Sequence, residues 1–143
     1  MKRALSIALV LLIPAALAMA APQTTDQPFP GTLINAKYVY VTSYDGNQFD
    51  PNLWPEDRQA IAAVQDAIQK WGHYILVYRP EEADIVLVVQ SRPSEDVLAL
   101  YDGHLWPEQN YLWRAMGRNG LQEGETPLVG KLQKAFEKAS KKG

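Results

Sequence analysis

Two short apolar runs joined by a polar connector decide the fold: YILVYRPEEADIVLVVQ, residues 74–90. Each run is too short for an ordinary helix and is dominated by Val, Ile, Leu and Tyr, which fit a pleated sheet. Because the run Ile85–Val89 is apolar at every position, it is typical of a central strand covered on both faces. In the connector, Pro80 lacks an amide donor, and the Asp84 carboxylate can accept hydrogen bonds from nearby amides at the start of the strand.

The segment upstream predicts a first strand and a helix. Residues 36–44, AKYVYVTSY, alternate with period two and end at the turn signal Asp45-Gly46. Residues 55–71 have proline in the first turn, glycine directly after the last residue, and an apolar stripe at helical spacing: Ile61, Val64, Ile68 and Trp71. A helix between two strands predicts a β-α-β unit, whose flanking strands are parallel, either as neighbours or separated by one strand.

The downstream segment predicts a second hairpin and a closing helix. Residues 97–101 and 110–116 have strand composition, and a glycine-punctuated loop covers residues 117–125. Thr126 and Pro127 are residue types that begin helices, so we expect Thr126 to cap the final helix. The whole pattern predicts an α+β open sandwich, a mixed sheet of four to five strands with two helices on one face, in the order β-α-β-β-β-β-α.

The chain begins with the residue pattern of a bacterial secretory signal peptide. Met1-Lys2-Arg3 precedes an apolar run, and the small residues Ala18 and Ala20 favour cleavage before Ala21. A retained membrane anchor is the alternative. We expect an exported protein, periplasmic or extracellular, with no membrane contact after cleavage.

Three ranges divide the chain: a signal peptide over 1–20, a flexible leader rich in Pro, Thr and Gln over 21–35, and a single α+β domain over 36–143. The chain has no cysteine. It therefore has no lipid-attachment residue, no disulfide, no thiol nucleophile and no cysteine-ligated metal.

The balance of charge disfavours nucleic acid as a partner. The chain has 14 Lys and Arg against 16 Asp and Glu, and two of the basic residues lie in the signal peptide. The mature chain thus has a net charge of about −4, whereas contacts to phosphates need a basic surface. We expect the lysines of the last helix to lie on a solvated face, where their positive charge complements the helix dipole. A basic binding patch is the alternative.

Tyrosines indicate a candidate binding surface. In the first strand they alternate with valines, and in the second strand we expect Tyr74 and Tyr78 to share one face of the sheet. If the helices cover the opposite face, this face is left for a partner, a ligand or solvent. Tyrosine is enriched at recognition surfaces, but it is also a good strand former that occurs on sheets with no binding role.

Two loops add tryptophans to this surface. Each follows a Tyr-Asp-Gly turn and contains Leu-Trp-Pro-Glu, with Trp54 in the first loop and Trp106 in the second. They form one binding rim if both strands leave the sheet at the same end, and coincident turn chemistry is the alternative. The candidate residues are Tyr38, Tyr40, Tyr44, Tyr74, Tyr78, Trp54 and Trp106.

Asp102 and His104 form the candidate polar site. With Asp45 or Asp50 they would make a mixed carboxylate and imidazole metal site, although two ligands close in sequence are common by chance. The chain has no Gly-x-Ser-x-Gly, His-Glu-x-x-His or phosphate-binding glycine loop. We expect no metal and no cofactor, and the sequence favours a protein that is not an enzyme.

The runs AIQKWGHY, residues 67–74, and PEEADIVLV, residues 80–88, resemble small bacterial cell-envelope domains of unknown function. These combine a core of helix, glycine, strand, PEEAD and strand with a hairpin containing Leu-Trp-Arg, here Leu112-Trp113-Arg114, and a closing helix. The resemblance covers about residues 37–138 and implies a fold but no chemistry. Many such domains are lipoproteins, and this chain lacks their lipid-attachment cysteine.

These observations predict a non-enzymatic interaction module of the cell envelope that uses the tyrosine face or the tryptophan loops. Its partner would be an envelope protein or a glycan. A domain that binds glycans or peptidoglycan through Trp54 and Trp106 is the alternative, and a small hydrolase built around Asp102 and His104 is the second. The oligomeric state stays open.

Overall fold

The computed structural model describes residues 27–122, 124 and 126–141, so the predicted signal peptide and residues 21–26 lie outside the described residues. The elements are β1 (Tyr38–Ser43), α1 (Pro55–Trp71), β2 (Ile75–Val77), β3 (Ile85–Ser91), β4 (Asp96–Asp102), β5 (Trp113–Gly117) and α2 (Pro127–Ser140). Short 3-10 turns cover Gly31–Leu33 and Pro80–Glu82. The predicted α+β fold, an open mixed sheet with two helices in the order β-α-β-β-β-β-α, is confirmed.

The five strands form one sheet in the order β2-β1-β3-β4-β5. β1 is parallel to both β2 and β3, whereas β3, β4 and β5 are antiparallel neighbours. α1 makes the crossover between the parallel strands β1 and β2, as the helix between two strand patterns predicted. β3 lies at the centre of the sheet and is buried over Ile85–Val89, which explains its continuous apolar run.

Both helices pack on the same face of the sheet. α1 and α2 contribute apolar side chains that are at most 1% exposed: Ile61, Val64, Ile68, Leu128 and Leu132. They contact sheet residues that alternate along the strands: Val39, Val41, Leu87, Val89, Leu98 and Leu100. Each large side chain buried in this way contributes about 1.5–3 kcal/mol, so this core fixes both helices on the sheet.

The ends of the helices follow the sequence pattern with one exception. Gly72 follows α1 with a φ of 76°, in the left-handed region that favours glycine, and its amide donates to the Ile68 carbonyl at 3.2 Å. α2 begins at Pro127 as predicted. The predicted cap is wrong, however, because the Thr126 side chain makes no capping hydrogen bond.

The residues of β2 lie on the opposite faces of the sheet from those predicted. Tyr38 is paired with Ile75 and Val39 with Leu76, and paired residues lie on the same face. Leu76 therefore faces the helices, while Ile75 lies on the opposite face. Tyr74, 7% exposed, also packs into the helix-side core, so its expected place on the tyrosine face is wrong. It lies in the turn before a three-residue strand, where alternation cannot decide the phase.

Residues 27–35, predicted to belong to a flexible leader, pack against the domain. Phe29 is 3% exposed and meets Phe136 of α2 edge to face, with 5.3 Å between ring centroids. The Gln27 side chain accepts a hydrogen bond from the main-chain amide of Arg114 at 2.8 Å. Gln27 thus covers a main-chain donor of the edge strand β5, and the packed domain starts earlier in the chain than predicted.

Candidate functional site

The face of the sheet opposite the helices carries the tyrosines of β1. Tyr38 and Tyr40 alternate with helix-facing valines, as predicted, but their exposed fractions are 41% and 8%. Tyr40 belongs to a second, smaller apolar cluster with Val86 and Val88. Trp106, in the loop after β4, packs on Tyr40 with ring centroids 6.3 Å apart. Trp106 therefore covers Tyr40, which is not a surface residue.

Two further tyrosines, Tyr44 and Tyr101, cover the centre of this face. The Tyr101 hydroxyl donates to the Tyr44 hydroxyl at 3.3 Å. The strand register places Val88 and Ala99 in the row between these tyrosines, and both are at most 2% exposed. The two rings must therefore lie across Val88 and Ala99. Burial, together with the bond to Tyr44, raises the pKa of Tyr101. In the described chain, side chains rather than a helix cover this part of the sheet.

Tyr74 belongs to an aromatic cluster at the ends of the two helices. Its ring centroid lies 5.1 Å from that of Trp71, 4.5 Å from that of His73 and 6.2 Å from that of Phe136. Among the described residues its buried hydroxyl has no hydrogen-bond partner, and burial raises the pKa of this phenol. We assign Tyr74 to packing.

The candidate tyrosines and tryptophans that stay exposed fall into two groups. Near β2, Tyr38 and Tyr78 are 41% and 51% exposed beside Ile75 at 56%. After β1, the loop of residues 44–54, hereafter the aromatic loop, exposes Tyr44 at 44% and Trp54 at 56%.

Phe49 in the aromatic loop is 72% exposed and was missed in the sequence. Its neighbours include the turn formers Asn47, Asp50, Pro51 and Asn52. An aromatic ring inside such a segment has no strand or helix face on which to be buried, and that signal could have found it.

Side-chain hydrogen bonds fix the aromatic loop. The Arg58 guanidinium, on the first turn of α1, donates to the carbonyls of Gln48 and Asp50, the second at 2.9 Å. The Asn47 side chain accepts from the Phe49 amide at 2.8 Å, and the Asp50 side chain accepts from the Asn52 amide at 2.9 Å. The exposed rings are therefore displayed on a backbone that α1 holds in place.

Arg92 anchors the end of the aromatic loop. Its guanidinium carbon lies 4.8 Å from the centroid of the Trp54 ring, and its nitrogens lie 2.5 Å from Asp45 and 3.1 Å from Asp57. Although burial opposes its charge, the bonds to Asp57 and Asp45 raise the pKa of Arg92. Asp57 is fully buried and also accepts from the Ser91 amide at 2.8 Å. This network ties α1 to the β3-β4 hairpin and holds the indole of Trp54 on one side.

Trp54 and Trp106 lie at opposite ends of the sheet. β1 is parallel to β3, and β3 is antiparallel to β4, so the loops that follow β1 and β4 leave in opposite directions. The condition for a single rim of two tryptophans, that both strands leave the sheet at the same end, is therefore not met. The same topology separates Asp102 and His104 from Asp45 and Asp50, so the possible metal site that would combine them is not assembled among the described residues.

Asp102 and His104 form a turn rather than a reactive pair. Asp102 accepts from the His104 amide at 2.9 Å, and the His104 ring instead approaches Asp84, with Nε2 3.4 Å from the carboxylate. The His104 side chain is 70% exposed. Across the described ranges, no group of three His, Asp or Glu side chains is arranged to hold a metal ion.

Asp84 joins the start of β3 to the start of β1. Its carboxylate accepts from the amides of Lys37 at 2.9 Å and Tyr38 at 3.1 Å. These main-chain bonds, the one from Lys37 first, outweigh burial and lower the pKa of Asp84, to which His104 also contributes. The predicted role of Asp84 as an acceptor for nearby amides is confirmed, and the amides belong to the neighbouring parallel strand.

Comparisons with protein-family models, with curated proteins and with solved structures found no match to this chain. The resemblance to small envelope domains therefore stays an expectation from the sequence. Within residues 27–122, 124 and 126–141, no helix is both long and apolar enough to cross a membrane.

Proposed function

We propose that this protein is a non-enzymatic interaction module of the cell envelope that binds a partner protein through the aromatic loop. The observation that carries the proposal is the exposure of Phe49 and Trp54, 72% and 56%, on a loop fixed by hydrogen bonds. Large aromatic side chains displayed in this way are typical of the centres of protein interfaces. Because the loop is already ordered, binding costs little conformational entropy.

The charges around the loop favour a particular kind of partner surface. Glu56, two residues after Trp54, is exposed, while Asp45 is paired with Arg92. The nearby arginines bind within the protein, Arg58 to loop carbonyls and Arg92 to Asp45 and Asp57. An apolar pocket with basic side chains at its rim would complement this arrangement.

The two other functions expected from the sequence have less support. A glycan site built on Trp54 and Trp106 together would span opposite ends of the sheet. A hydrolase built around Asp102 and His104 would use a turn whose imidazole approaches Asp84 in solvent. No observation in the described residues specifically supports either of these functions.

The envelope location is part of the proposal. It depends on residues 1–20, whose charged start, apolar run and small residues before Ala21 are typical of a secretory signal peptide.

The test compares two pairs of exposed aromatic residues. A partner is first recovered by crosslinking the protein in its own envelope, and then purified so that its affinity can be measured by calorimetry. We expect Phe49→Ala/Trp54→Ala to weaken binding at least ~30-fold, as for loss of a hot spot of ~2 kcal/mol. The matched control, Tyr38→Ala/Tyr78→Ala, removes two exposed rings outside the aromatic loop and should leave the affinity within about threefold.

Three results would overturn the proposal. The first is equal loss of affinity in both double variants, and the second is no loss in the loop variant. The third is specific binding of the wild type to an array of envelope glycans that Trp54→Ala alone removes, which would establish the glycan-binding alternative instead. Each variant is first compared with the wild type by circular dichroism, so that a folding defect is not counted as loss of a contact.

A further inference from the structure

The turn that follows β5 contains the only Asn-Gly pair in the sequence, Asn119-Gly120. Asn119 is exposed, and its φ of 55° makes it the one non-glycine residue of the described chain in the left-handed region. Asparagine tolerates this conformation because its short polar side chain can bond locally. Gly120 has no side chain that could shield its main-chain nitrogen from the side chain of Asn119.

This pair of residues can react without an enzyme. The Gly120 nitrogen loses its proton to hydroxide and attacks Cγ of Asn119, an intramolecular step that closes a five-membered succinimide ring. The bond from Cγ to the side-chain nitrogen breaks, and this nitrogen leaves as ammonia after taking a proton from water. Water then opens one of the two ring carbonyls. The products are aspartate or isoaspartate, and in isoaspartate the main chain runs through the side-chain carbons.

The turn itself controls how easily the ring closes. The Gly120 amide donates to the Gly117 carbonyl at 3.3 Å, which is longer than the roughly 2.7–3.2 Å of most such bonds. The attack requires this bond to open, and a long bond in an exposed turn opens at little cost in free energy. The turn therefore slows the reaction but does not prevent it. The other asparagines precede residues with side chains, which hinder the attack: Asn35, Asn47, Asn52 and Asn110.

We propose that Asn119 is a site of spontaneous covalent modification, and that its conversion to isoaspartate loosens the start of α2. The Gly120 carbonyl accepts from the Leu128 amide, in the first turn of α2, at 3.2 Å. A Cβ on Gly120 would lie 2.5 Å from the Leu128 side chain, so the two residues are packed without spare room. Isoaspartate lengthens the main chain before Gly120 by one carbon–carbon bond, about 1.5 Å. This contact has no space for such a shift.

The residue after this pair ties the turn to the sheet. Leu121 is buried, and its amide donates to the buried carboxylate of Asp96 at 3.0 Å. A displaced turn would take this donor away from Asp96, and a buried acceptor that loses its partner destabilises the fold. Aspartate at position 119 adds a charge on the surface but keeps the length of the main chain. We therefore expect isoaspartate, rather than aspartate, to lower the stability of the protein.

Peptide mass spectrometry tests the reaction. The folded protein is incubated at mildly alkaline pH beside a sample in urea, and the mass gained when the side-chain NH2 is replaced by OH is followed at each asparagine. In the folded protein Asn119 should convert about tenfold faster, or more, than any other asparagine. The control Asn119→Gly keeps the left-handed backbone, has no side-chain carbonyl and should stay unmodified at this turn. An unchanged Asn119 while the chain in urea converts, or equal conversion at another asparagine, would overturn the proposal.

Urea unfolding tests the effect on α2. The isoaspartyl form, separated from the unmodified protein by anion exchange, should unfold at a lower urea concentration than the wild type. Asn119→Asp carries the same new charge on a main chain of normal length, so its midpoint should stay close to that of the wild type. A wild-type midpoint for the isoaspartyl form, or an equal decrease in Asn119→Asp, would overturn the effect assigned to the longer main chain. Both tests are independent of the function proposed for the aromatic loop.

Discussion

A single carboxylate, that of Asp84, holds the starts of two parallel strands together. Asp84 directly precedes β3, yet its oxygen accepts from the amides of Lys37 and Tyr38, 47 and 46 residues earlier in the chain. Local sequence predicted an amide acceptor here from the short acidic side chain. It did not predict the donors, because these depend on β1 being the neighbour of β3.

Replacing Asp84 tests the strength of this contact. Asp84→Ala leaves two main-chain donors without their carboxylate, so we expect the free energy of unfolding in urea to fall by about 1–3 kcal/mol. The control Asp66→Ala removes an exposed ion pair with Lys70, 2.8 Å long, and should cost about 0.5 kcal/mol or less. Equal losses in the two variants would contradict a special role for Asp84.

The same contact makes stability depend on pH. The folded pKa of Asp84 is lowered from 3.8, so between the two values the unfolded state binds more protons than the folded state. The contribution of this carboxylate is therefore complete above 3.8 and is lost as the pH falls through the folded value. We expect the difference in unfolding free energy between wild type and Asp84→Ala to narrow below pH 3.8 in urea titrations. A difference that stays constant from pH 7 to pH 3 would be inconsistent with this assignment.

At the scale of elements, the sequence predicted best what local periodicity determines. α1 and β3 are long and regular, and both were placed correctly within a few residues. β2 was placed but its phase was wrong, because a three-residue strand holds too little alternation to fix a face. The burial of Phe29 could not be predicted, since it depends on Phe136, more than 100 residues away in sequence. Local pattern fixes an element, whereas its partners are set by the arrangement of the other elements.

In the candidate site too, local sequence indicated single residues but not their contacts with distant parts of the chain. Tyr38 and Tyr44 were found because tyrosine is conspicuous in a strand, but the sequence did not show that Trp106 covers Tyr40. The opposite directions of the two tryptophan loops follow from strand order, which no local motif encodes. Phe49 carried a usable signal, because its neighbours are turn formers that offer no apolar face.

The aromatic loop is an element whose order depends on one side chain of α1. Arg58→Lys keeps the charge but removes the forked guanidinium that donates to two loop carbonyls. We expect faster hydrogen exchange at the amides of Asp50 and Leu53, which bond within the loop at 3.0 and 3.2 Å. The control Lys70→Ala lies on the same helix and should leave these amides unchanged. Unchanged exchange in Arg58→Lys would mean that the loop is ordered without this contact.

At the scale of the whole molecule, the sheet is covered in the middle and open at its margins. Helices cover one face, while Tyr44, Tyr101 and Trp106 cover the centre of the other. The aromatic loop, for which binding is proposed, and Lys37 lie beyond opposite ends of β1. The aromatic loop follows Ser43, and Lys37 directly precedes Tyr38. Six residues of strand separate them by about 20 Å, which is far beyond direct contact between side chains.

This separation predicts that Lys37 plays no part in partner binding. Lys37→Glu should leave the affinity for the partner unchanged, whereas Phe49→Ala/Trp54→Ala should weaken it. A variant with all three changes should show the sum of the separate effects within about 0.5 kcal/mol, as distant sites do. Calorimetry on the wild type and the three variants measures these affinities. A coupling energy above about 1 kcal/mol would contradict independence. It would mean that the partner reaches from the aromatic loop to the start of β1.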